Sequence, residues 1–210
     1  KPLLSKSMFK KVLIYGESWQ GCHGQLLLND LLTRGYEVEI FDHTKHLPGI
    51  INRSIFERVK RRLFISIYSK KIQNLLLKKI NAYNPSHVII CKGLNLNVQT
   101  LRKINKKGIF LTNWNPDDFL NMKNSNKELV KSIPEYDLII SSRPHLFAEY
   151  KSLGAKDLLF IDWYFVPDLH KKRNLPIIHD VTFVGSWSEK REEFICKIPF
   201  KVTVWGGGWE

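Results

Sequence analysis

Residues 10–16 read Lys-Lys-Val-Leu-Ile-Tyr-Gly, a compact apolar run that ends in glycine. Such a run is typical of a strand that is buried on both faces of a parallel sheet. A glycine-containing loop over 17–24 and an amphipathic stretch over 25–34 follow it, and residues 36–42 then alternate between apolar and polar side chains. This succession of strand, loop, helix and strand predicts the opening of a Rossmann-like α/β unit.

The glycines of the first loop, at positions 16, 21 and 24, do not form the Gly-x-Gly-x-x-Gly pattern that binds a dinucleotide. They fit two interpretations: a loop that needs positive φ angles, or a backbone that approaches a phosphate or another substrate group. Gly16 and Glu17 are therefore candidate substrate contacts, and no dinucleotide cofactor is inferred.

Four further apolar runs follow, and helical patterns separate them. The runs cover residues 87–93, 109–112, 136–142 and 157–161. Before the first of them, a capping pattern at Ser54 predicts one long helix, or two helices broken near Ser69, over 54–83. The alternation of strands with helices predicts a parallel sheet with helices on its faces.

Residues 108–118 read Gly-Ile-Phe-Leu-Thr-Asn-Trp-Asn-Pro-Asp-Asp, an apolar strand that runs into a polar, aromatic turn. In an open parallel sheet, ligands bind beyond the carboxyl ends of the strands. The candidate site residues in this turn are Trp114, Asn115, Asp117 and Asp118. A plainer interpretation places Trp114 in the core and makes the two carboxylates the cap of a helix that starts near Phe119.

Lys92 lies at the carboxyl end of the run at 87–93 and therefore belongs to the same edge of the predicted sheet. A lysine at this edge can meet an anionic ligand. It can equally lay its apolar stem along the protein surface and keep its charge in solvent. Both interpretations stay open at the level of the sequence.

The formal charge of +13 favours anionic partners: nucleic acid, acidic lipid headgroups or phosphorylated ligands. Much of the excess falls in residues 54–83, where basic side chains far outnumber acidic ones. Such a face is usually just solvated, and the sharper interpretation is a basic face that rests on an anionic membrane. Nucleic acid ranks third, because the aromatic residues of this segment fall on its apolar stripe rather than among the exposed basic side chains.

The composition changes after the sixth predicted strand. Residues 166–180 are rich in proline and basic side chains, and they predict a linker between a domain at 1–165 and a second one at 181–210. The second part reads as strand, glycine, helix and strand, which is too little for a complete domain. We therefore expect it to be the truncated beginning of a second Rossmann-like unit.

Two absences in the sequence bear on its location. No stretch reaches the roughly 18 to 20 apolar residues that span a bilayer. Cys22, Cys91 and Cys196 lack the spacing of a disulfide framework or a zinc site. The sequence therefore predicts a cytoplasmic setting without a metal site, and it leaves room for peripheral contact with the inner face of the membrane through residues 54–83.

Several motifs, taken in order, resemble those of the CgeB-like (spore maturation protein) glycosyltransferases. The motifs lie at residues 88–93, 114–118, 136–140, 153–155, 167–170, 183–186 and 204–209. The resemblance covers nearly the whole chain, and the order and spacing of the motifs carry it. It implies the two-domain GT-B architecture and transfer of a sugar from a nucleotide-sugar co-substrate to a hydroxyl of a cell-surface glycan, a spore component or a protein. It implies no Asp-x-Asp metal site.

The GT-B architecture that the resemblance implies divides the substrates between two domains, with the acceptor on the first and most of the donor on the second. Gly185, Ser186 and Arg191 would then face the donor diphosphate, next to a helix N-terminus that suits an anion. Ser186 and Glu189 could instead only cap that helix. With an incomplete donor domain, we expect weak or no activity from this chain alone.

Glycosyl transfer needs a base for the acceptor hydroxyl or electrostatic support for the departing diphosphate. His23 lies in the first loop, where the resemblance implies a histidine base, and Asp117 or Asp118 is the rival candidate. The alternative function is a non-catalytic Rossmann-like module that binds a ligand or a partner.

Overall fold

The computed structural model describes residues 11–50, 54–122, 124–163, 165–166 and 170–209. The chain divides into two compact units, Lys1–Tyr164 and Phe165–Glu210. Part of the predicted linker, Pro167 to Leu169, lies outside the described residues, and so does Lys10 of the first apolar run.

The first unit is built on a six-stranded sheet in which every strand runs parallel to its neighbours. The strands are β1 (Lys11–Gly16), β2 (Glu37–Asp42), β3 (His87–Cys91), β4 (Phe110–Trp114), β5 (Leu138–Ser141) and β6 (Leu158–Phe160). Their order across the sheet is β2-β1-β3-β4-β5-β6. This confirms the predicted Rossmann-like α/β fold, a parallel sheet flanked by helices.

Helices connect the successive strands of this unit. They are α1 (His23–Thr33), α2 (Ile55–Leu63), α3 (Ile65–Tyr83), α4 (Val98–Asn105), α5 (Lys127–Lys131) and α6 (Phe147–Ser152). The segment predicted as one helix, or as two broken near Ser69, is two helices, but the break falls at Phe64, where φ is −112° and ψ is 23°. The apolar periodicity continues across Phe64, so the sequence pattern gives no sign of it. No helix in the described parts of the chain is long and apolar enough to cross a membrane.

The central strand β1 is buried on both of its faces. Leu13 and Tyr15 belong to the larger core, which α3 and α4 close from one side of the sheet. Val12 and Ile14 belong to the core on the other side, where the leucines of α1 pack. Because side chains alternate between the faces of a strand, an unbroken apolar run is what such a central strand requires.

The direction of strand addition reverses next to β1. The chain passes from β1 outward to β2 and then crosses back through α2 and α3 to place β3 on the other side of β1. The loops that leave the carboxyl ends of β1 and β3 therefore diverge, and a crevice lies between them. Open α/β sheets bind their ligands at such a point.

The second unit holds two parallel strands, β7 (Thr182–Val184) and β8 (Thr203–Trp205), with α7 (Glu189–Cys196) between them in the chain. Its loops pack closely: the Trp209 indole donates from Nε1 to the carbonyl oxygen of Gly185 at 2.8 Å. A Cβ atom at Gly206 would lie 2.1 Å from that same oxygen. The loop after β8 therefore needs a glycine at this position.

Candidate functional site

A cleft of about 380 Å³ opens at the crevice between β1 and β3, on the carboxyl edge of the sheet. Six of the residues predicted from the sequence line it: Gly16, Glu17, His23, Lys92, Trp114 and Asp117. They belong to the ends of three strands and the loops that follow them, after β1, β3 and β4. The parallel sheet brings these loops to one edge although they lie far apart in the sequence.

The glycines of the first loop allow close packing of backbone on backbone. A Cβ atom at Gly24 would lie 2.4 Å from the carbonyl oxygen of Glu17, and one at Gly16 would lie 3.3 Å from the Cys91 sulfur. Gly21 has a φ of +88°, which fits the interpretation of a loop that needs positive φ. Each glycine therefore has a structural role in shaping the wall of the cleft.

His23 is the first residue of α1 and lines the cleft, where its ring stacks on Trp114 with a centroid distance of 5.7 Å. Burial lowers the pKa of its imidazole below the ordinary 6.5, and the carboxylates of Asp117 and Glu17 partly oppose this shift. The ring is therefore neutral near pH 7 and able to accept a proton. The imidazolium formed in that step would have two carboxylates nearby to stabilise it.

Lys92 and Asp117 form an ion pair in the cleft, with 2.6 Å between Nζ and Oδ2. Lys92 has a left-handed backbone, with a φ of +64°, and its N–H donates to the carbonyl oxygen of Trp114 at 2.9 Å. The buried side-chain amide of Asn113 donates to the carbonyl oxygen of Lys92 at 3.1 Å. Asn113 and Trp114 of β4 thus fix the turn after β3. They also fix the position of the Lys92 backbone, from which the side chain extends.

Asn115 and Asp118 shape the loop after β4 and are not part of the cleft wall. Asn115 is buried, and its Oδ1 accepts a hydrogen bond from the Asp117 N–H at 3.2 Å. Asp118 accepts from the N–H two residues further on at 2.9 Å. The interpretation that a helix starts near Phe119 is wrong, because residues 115–122 form bends and turns that Asp118 closes.

Among the lining residues that were not predicted as candidates, three carry aromatic rings: Trp19, His43 and Trp163. Trp19 lies in the first loop, where its indole nitrogen donates to the side chain of Glu17. Together with Trp114, the new tryptophans give the cleft three indoles, which offer flat apolar surfaces with a polar N–H. Trp19, His43 and Trp163 each follow shortly after a predicted strand. This position at a strand end is the sequence feature that could have identified them as site residues.

The two cysteines of the cleft, Cys22 and Cys91, are not in the thiolate form that acts as a nucleophile. Burial raises the pKa of the Cys91 thiol to about 12, and it also raises the pKa of Cys22, so both are protonated at neutral pH. His43 stacks on Tyr15 at a centroid distance of 4.7 Å, and burial lowers its pKa, so that it is a second neutral imidazole. The chemistry available here at neutral pH is that of imidazoles and carboxylates.

The Asp42 carboxylate, at the end of β2, is held by hydrogen bonds from neighbouring residues of the protein. Asp42 accepts hydrogen bonds from the N–H of Ser18 at 3.2 Å, from the Ser18 hydroxyl at 2.5 Å and from the N–H of Thr44 at 2.9 Å. Burial disfavours its charge, but these hydrogen bonds together outweigh burial and lower its pKa. Dinucleotide-binding units use an acidic residue in this region for the ribose, whereas Asp42 ties the first loop to the turn after β2.

The predicted donor contacts Gly185, Ser186 and Arg191 lie together in the second unit, in and after the loop that follows β7. The Arg191 guanidinium donates from Nη1 to the carbonyl oxygen of Ser186 at 2.5 Å. The helix α7 begins at Glu189 with Ser188 as its N-cap. The interpretation of Ser186 as the helix cap is therefore wrong, because Ser186 lies outside the helix and its carbonyl is held by Arg191.

The N-terminus of α7 has acidic side chains in its first turn, Glu189 and Glu192. Glu192 accepts a hydrogen bond from the Trp187 indole at 2.8 Å. Negative charge at this end of a helix offsets the attraction that its dipole exerts on an anion. An anion at this loop would therefore depend on Arg191 rather than on the helix end.

The described residues contain no group of three or more His, Cys, Asp or Glu side chains arranged to hold a metal ion. No protein-family model, curated protein or solved structure matches the chain. The geometry of the cleft therefore carries the functional assignment.

Proposed function

We propose that the chain takes part in glycosyl transfer, with the cleft of the first unit as the acceptor site and a nucleotide sugar as the donor. One observation carries the proposal: a neutral imidazole, His23, lies near two carboxylates in a cleft that also presents three indoles. The resemblance to the CgeB-like glycosyltransferases supports the same function.

The lining of the cleft suits a carbohydrate. The apolar face of a sugar ring packs on an aromatic ring, and its hydroxyls donate to carboxylates, so Trp114 beside Asp117 offers both kinds of contact. The volume of about 380 Å³ falls within the range of small-molecule sites. Trp19 and Trp163, which are largely exposed, would close over a bound ring.

The proposed chemistry uses His23 as the base. The acceptor hydroxyl oxygen forms a bond to the anomeric carbon of the donor, and the bond from that carbon to the diphosphate oxygen breaks. The hydroxyl proton passes to the His23 imidazole, which later releases it to solvent. Asp117 and Glu17 stabilise the imidazolium, since their charges act to raise the pKa of His23.

Three of the other candidate residues of the first unit do not take part in the proton transfer and instead position Asp117 or its loop. Lys92 holds Asp117 in its ion pair, and Asn115 holds the backbone N–H of Asp117. We assign Asp118 to the loop, where it closes a turn. The resemblance assigns the donor diphosphate to Gly185, Ser186 and Arg191, and the positive charge of Arg191 suits it.

Nuclear magnetic resonance of the indole N–H groups tests the acceptor site. The chain has six tryptophans: Trp19, Trp114 and Trp163 line the cleft, whereas Trp187, Trp205 and Trp209 belong to the second unit. A saccharide acceptor should shift the first three resonances and leave the others in place. A panel of saccharides that shifts none of the first three would contradict the proposal.

Release of nucleoside diphosphate from a panel of nucleotide sugars then tests the transfer itself. His23→Gln should lower the rate about 100-fold or more, the range for loss of a general base, while the indole shifts caused by the acceptor persist. The matched control is His145→Gln, since His145 is exposed and outside the cleft. Because weak or no transfer is expected from this chain alone, the comparison is made on the diphosphate release that the parent chain shows, and a His23→Gln rate equal to the parent rate would contradict the role of His23 as the base.

A further inference from the structure

The helix α2, Ile55–Leu63, has no buried residue. Its four apolar side chains, Ile55, Phe56, Val59 and Leu63, are between 51% and 78% exposed. With 3.6 residues per turn, these four side chains fall within an arc of about 100° around the helix axis. An apolar stripe of this width normally faces the core of a globular protein, and here it faces solvent.

The opposite side of α2 is the one that rests on the protein. Glu57 and Arg61 lie across the helix from the apolar arc and are half-buried. The Arg61 guanidinium donates from Nη1 to the carbonyl oxygen of Pro48 at 3.4 Å. A Cβ atom at Gly49 would lie 2.9 Å from the backbone nitrogen of Arg58. The apolar arc therefore points away from the body of the first unit.

Basic side chains border the arc on both of its sides. At about 100° per residue, Arg58 and Arg62 lie along one border and Lys60 lies along the other, and all three are exposed. This is the arrangement of a helix that lies in a membrane interface, where apolar side chains enter the acyl region and long basic side chains extend to the phosphates.

The apolar surface also continues beyond the helix. Phe64, at the break, and Ile65 and Ile67, in the first turn of α3, are more than 40% exposed. The first fully buried residue of α3 is Ile72. Exposed apolar side chains thus extend from Ile55 to Ile67, before the part of α3 that packs on the sheet.

We propose that α2 docks the protein on an anionic lipid bilayer, parallel to its surface. The apolar arc enters the boundary between headgroups and acyl chains, and Arg58, Lys60 and Arg62 pair with lipid phosphates. Charge complementarity selects the occupant, since a solvent-facing apolar arc bordered by cations, in a chain of formal charge +13, fits an apolar surface that carries anions.

Sedimentation with lipid vesicles tests the proposal. The chain should bind vesicles with about 30% phosphatidylglycerol at least about tenfold more tightly than vesicles of phosphatidylcholine alone. The double variant Phe56→Ser/Leu63→Ser should lose at least about tenfold in affinity. These side chains are exposed, so the fold is expected to persist, and far-ultraviolet circular dichroism checks it.

A matched pair of charge variants separates local docking from the general charge of the chain. Arg58→Glu/Arg62→Glu should weaken vesicle binding at least about tenfold, whereas Lys106→Glu/Lys107→Glu, the same charge change on an exposed turn after α4, should change it less than about twofold. Equal losses in the two pairs would overturn the proposal.

Two further results would also overturn it. If Phe56→Ser/Leu63→Ser binds vesicles as tightly as the parent, charge alone holds the protein and the arc does not enter the bilayer. If the parent binds no vesicles and sediments as a dimer that this variant dissociates, the occupant of the arc is a second copy of the chain.

Discussion

The Lys92 ammonium lies 2.6 Å from the Asp117 carboxylate, and the residue that carries it has a left-handed backbone with a φ of +64°. A residue with a side chain seldom adopts this conformation, which costs about 1 to 2 kcal/mol relative to the right-handed one. Glycine would relieve the cost, but it would remove the ammonium. The strained lysine thus lies at the point where two loops of the cleft meet, and strain of this kind is typical of functional sites.

This geometry makes a prediction about stability. Lys92→Gly and Lys92→Ala remove the same ion pair, but only the glycine relieves the left-handed backbone. Lys92→Gly should therefore be the more stable variant by about 1 kcal/mol in the free energy of unfolding, measured with denaturant. At Lys103, which is exposed within α4, the order should be reversed by a similar amount. The same order at both positions would contradict the left-handed turn.

The electrostatics of His23 give a second prediction. The charge of Asp117 acts to raise the pKa of the His23 imidazole, against the larger effect of burial. Asp117→Asn should therefore move the titration of His23 to lower pH, and the release of Lys92 from its ion pair acts in the same direction. Nuclear magnetic resonance of the imidazole protons measures the shift. Asp157→Asn, at an exposed carboxylate outside the cleft, is the control and should leave the His23 titration unchanged.

Much of the first unit could be predicted from its sequence because its inner strands β1 and β3 are buried on both faces. After their first residues, Lys11 and His87, the strands β1 and β3 are apolar, and this pattern needs no knowledge of their neighbours. The break at Phe64 could not be predicted, because the apolar spacing on either side of it suits one continuous helix. For a similar reason the sequence did not show which way the apolar arc of α2 faces. The spacing of apolar residues shows that such an arc exists, but not what it contacts.

The rule that ligands bind at strand ends predicts that His23, Lys92 and Asp117 share one edge of the sheet, and all three line the cleft there. The rule does not separate neighbours: Asp117 reaches Lys92, whereas the adjacent Asp118 closes a turn. Nor does it rank strands, and Trp163, which follows β6, was missed for that reason. Such distinctions depend on loop geometry, which local sequence patterns do not encode.

The close approach at Gly24 gives a third prediction. A methyl group there would meet the backbone oxygen of Glu17 at 2.4 Å, and a backbone atom cannot move aside as a flexible side chain can. Gly24→Ala should therefore lower the free energy of unfolding by about 1 to 3 kcal/mol, the range for overpacking. Gly207→Ala is the control, because a Cβ atom there meets nothing within 4 Å. A Gly24→Ala variant as stable as the control would show that the first loop packs differently.

The fourth prediction concerns stability at acidic pH. Burial lowers the pKa of His87 to about 4, against an ordinary 6.5, and its Nε2 lies 2.8 Å from the Thr112 hydroxyl. The unfolded chain therefore binds a proton at His87 at a higher pH than the folded chain does. The stability that the neutral ring contributes is present above about pH 6.5 and is lost as the pH falls toward 4.

Between about pH 7.5 and about pH 5, this single group should account for about 2 kcal/mol of the fall in the free energy of unfolding. His87→Gln has no proton to bind in this range, so its stability should fall by that much less than the stability of the parent protein. Denaturant unfolding of both proteins at the two pH values isolates the difference, because the other histidines contribute equally to each. Parallel losses in the two proteins would mean that His87 titrates in the folded state as it does in solvent, and that its surroundings do not lower its pKa.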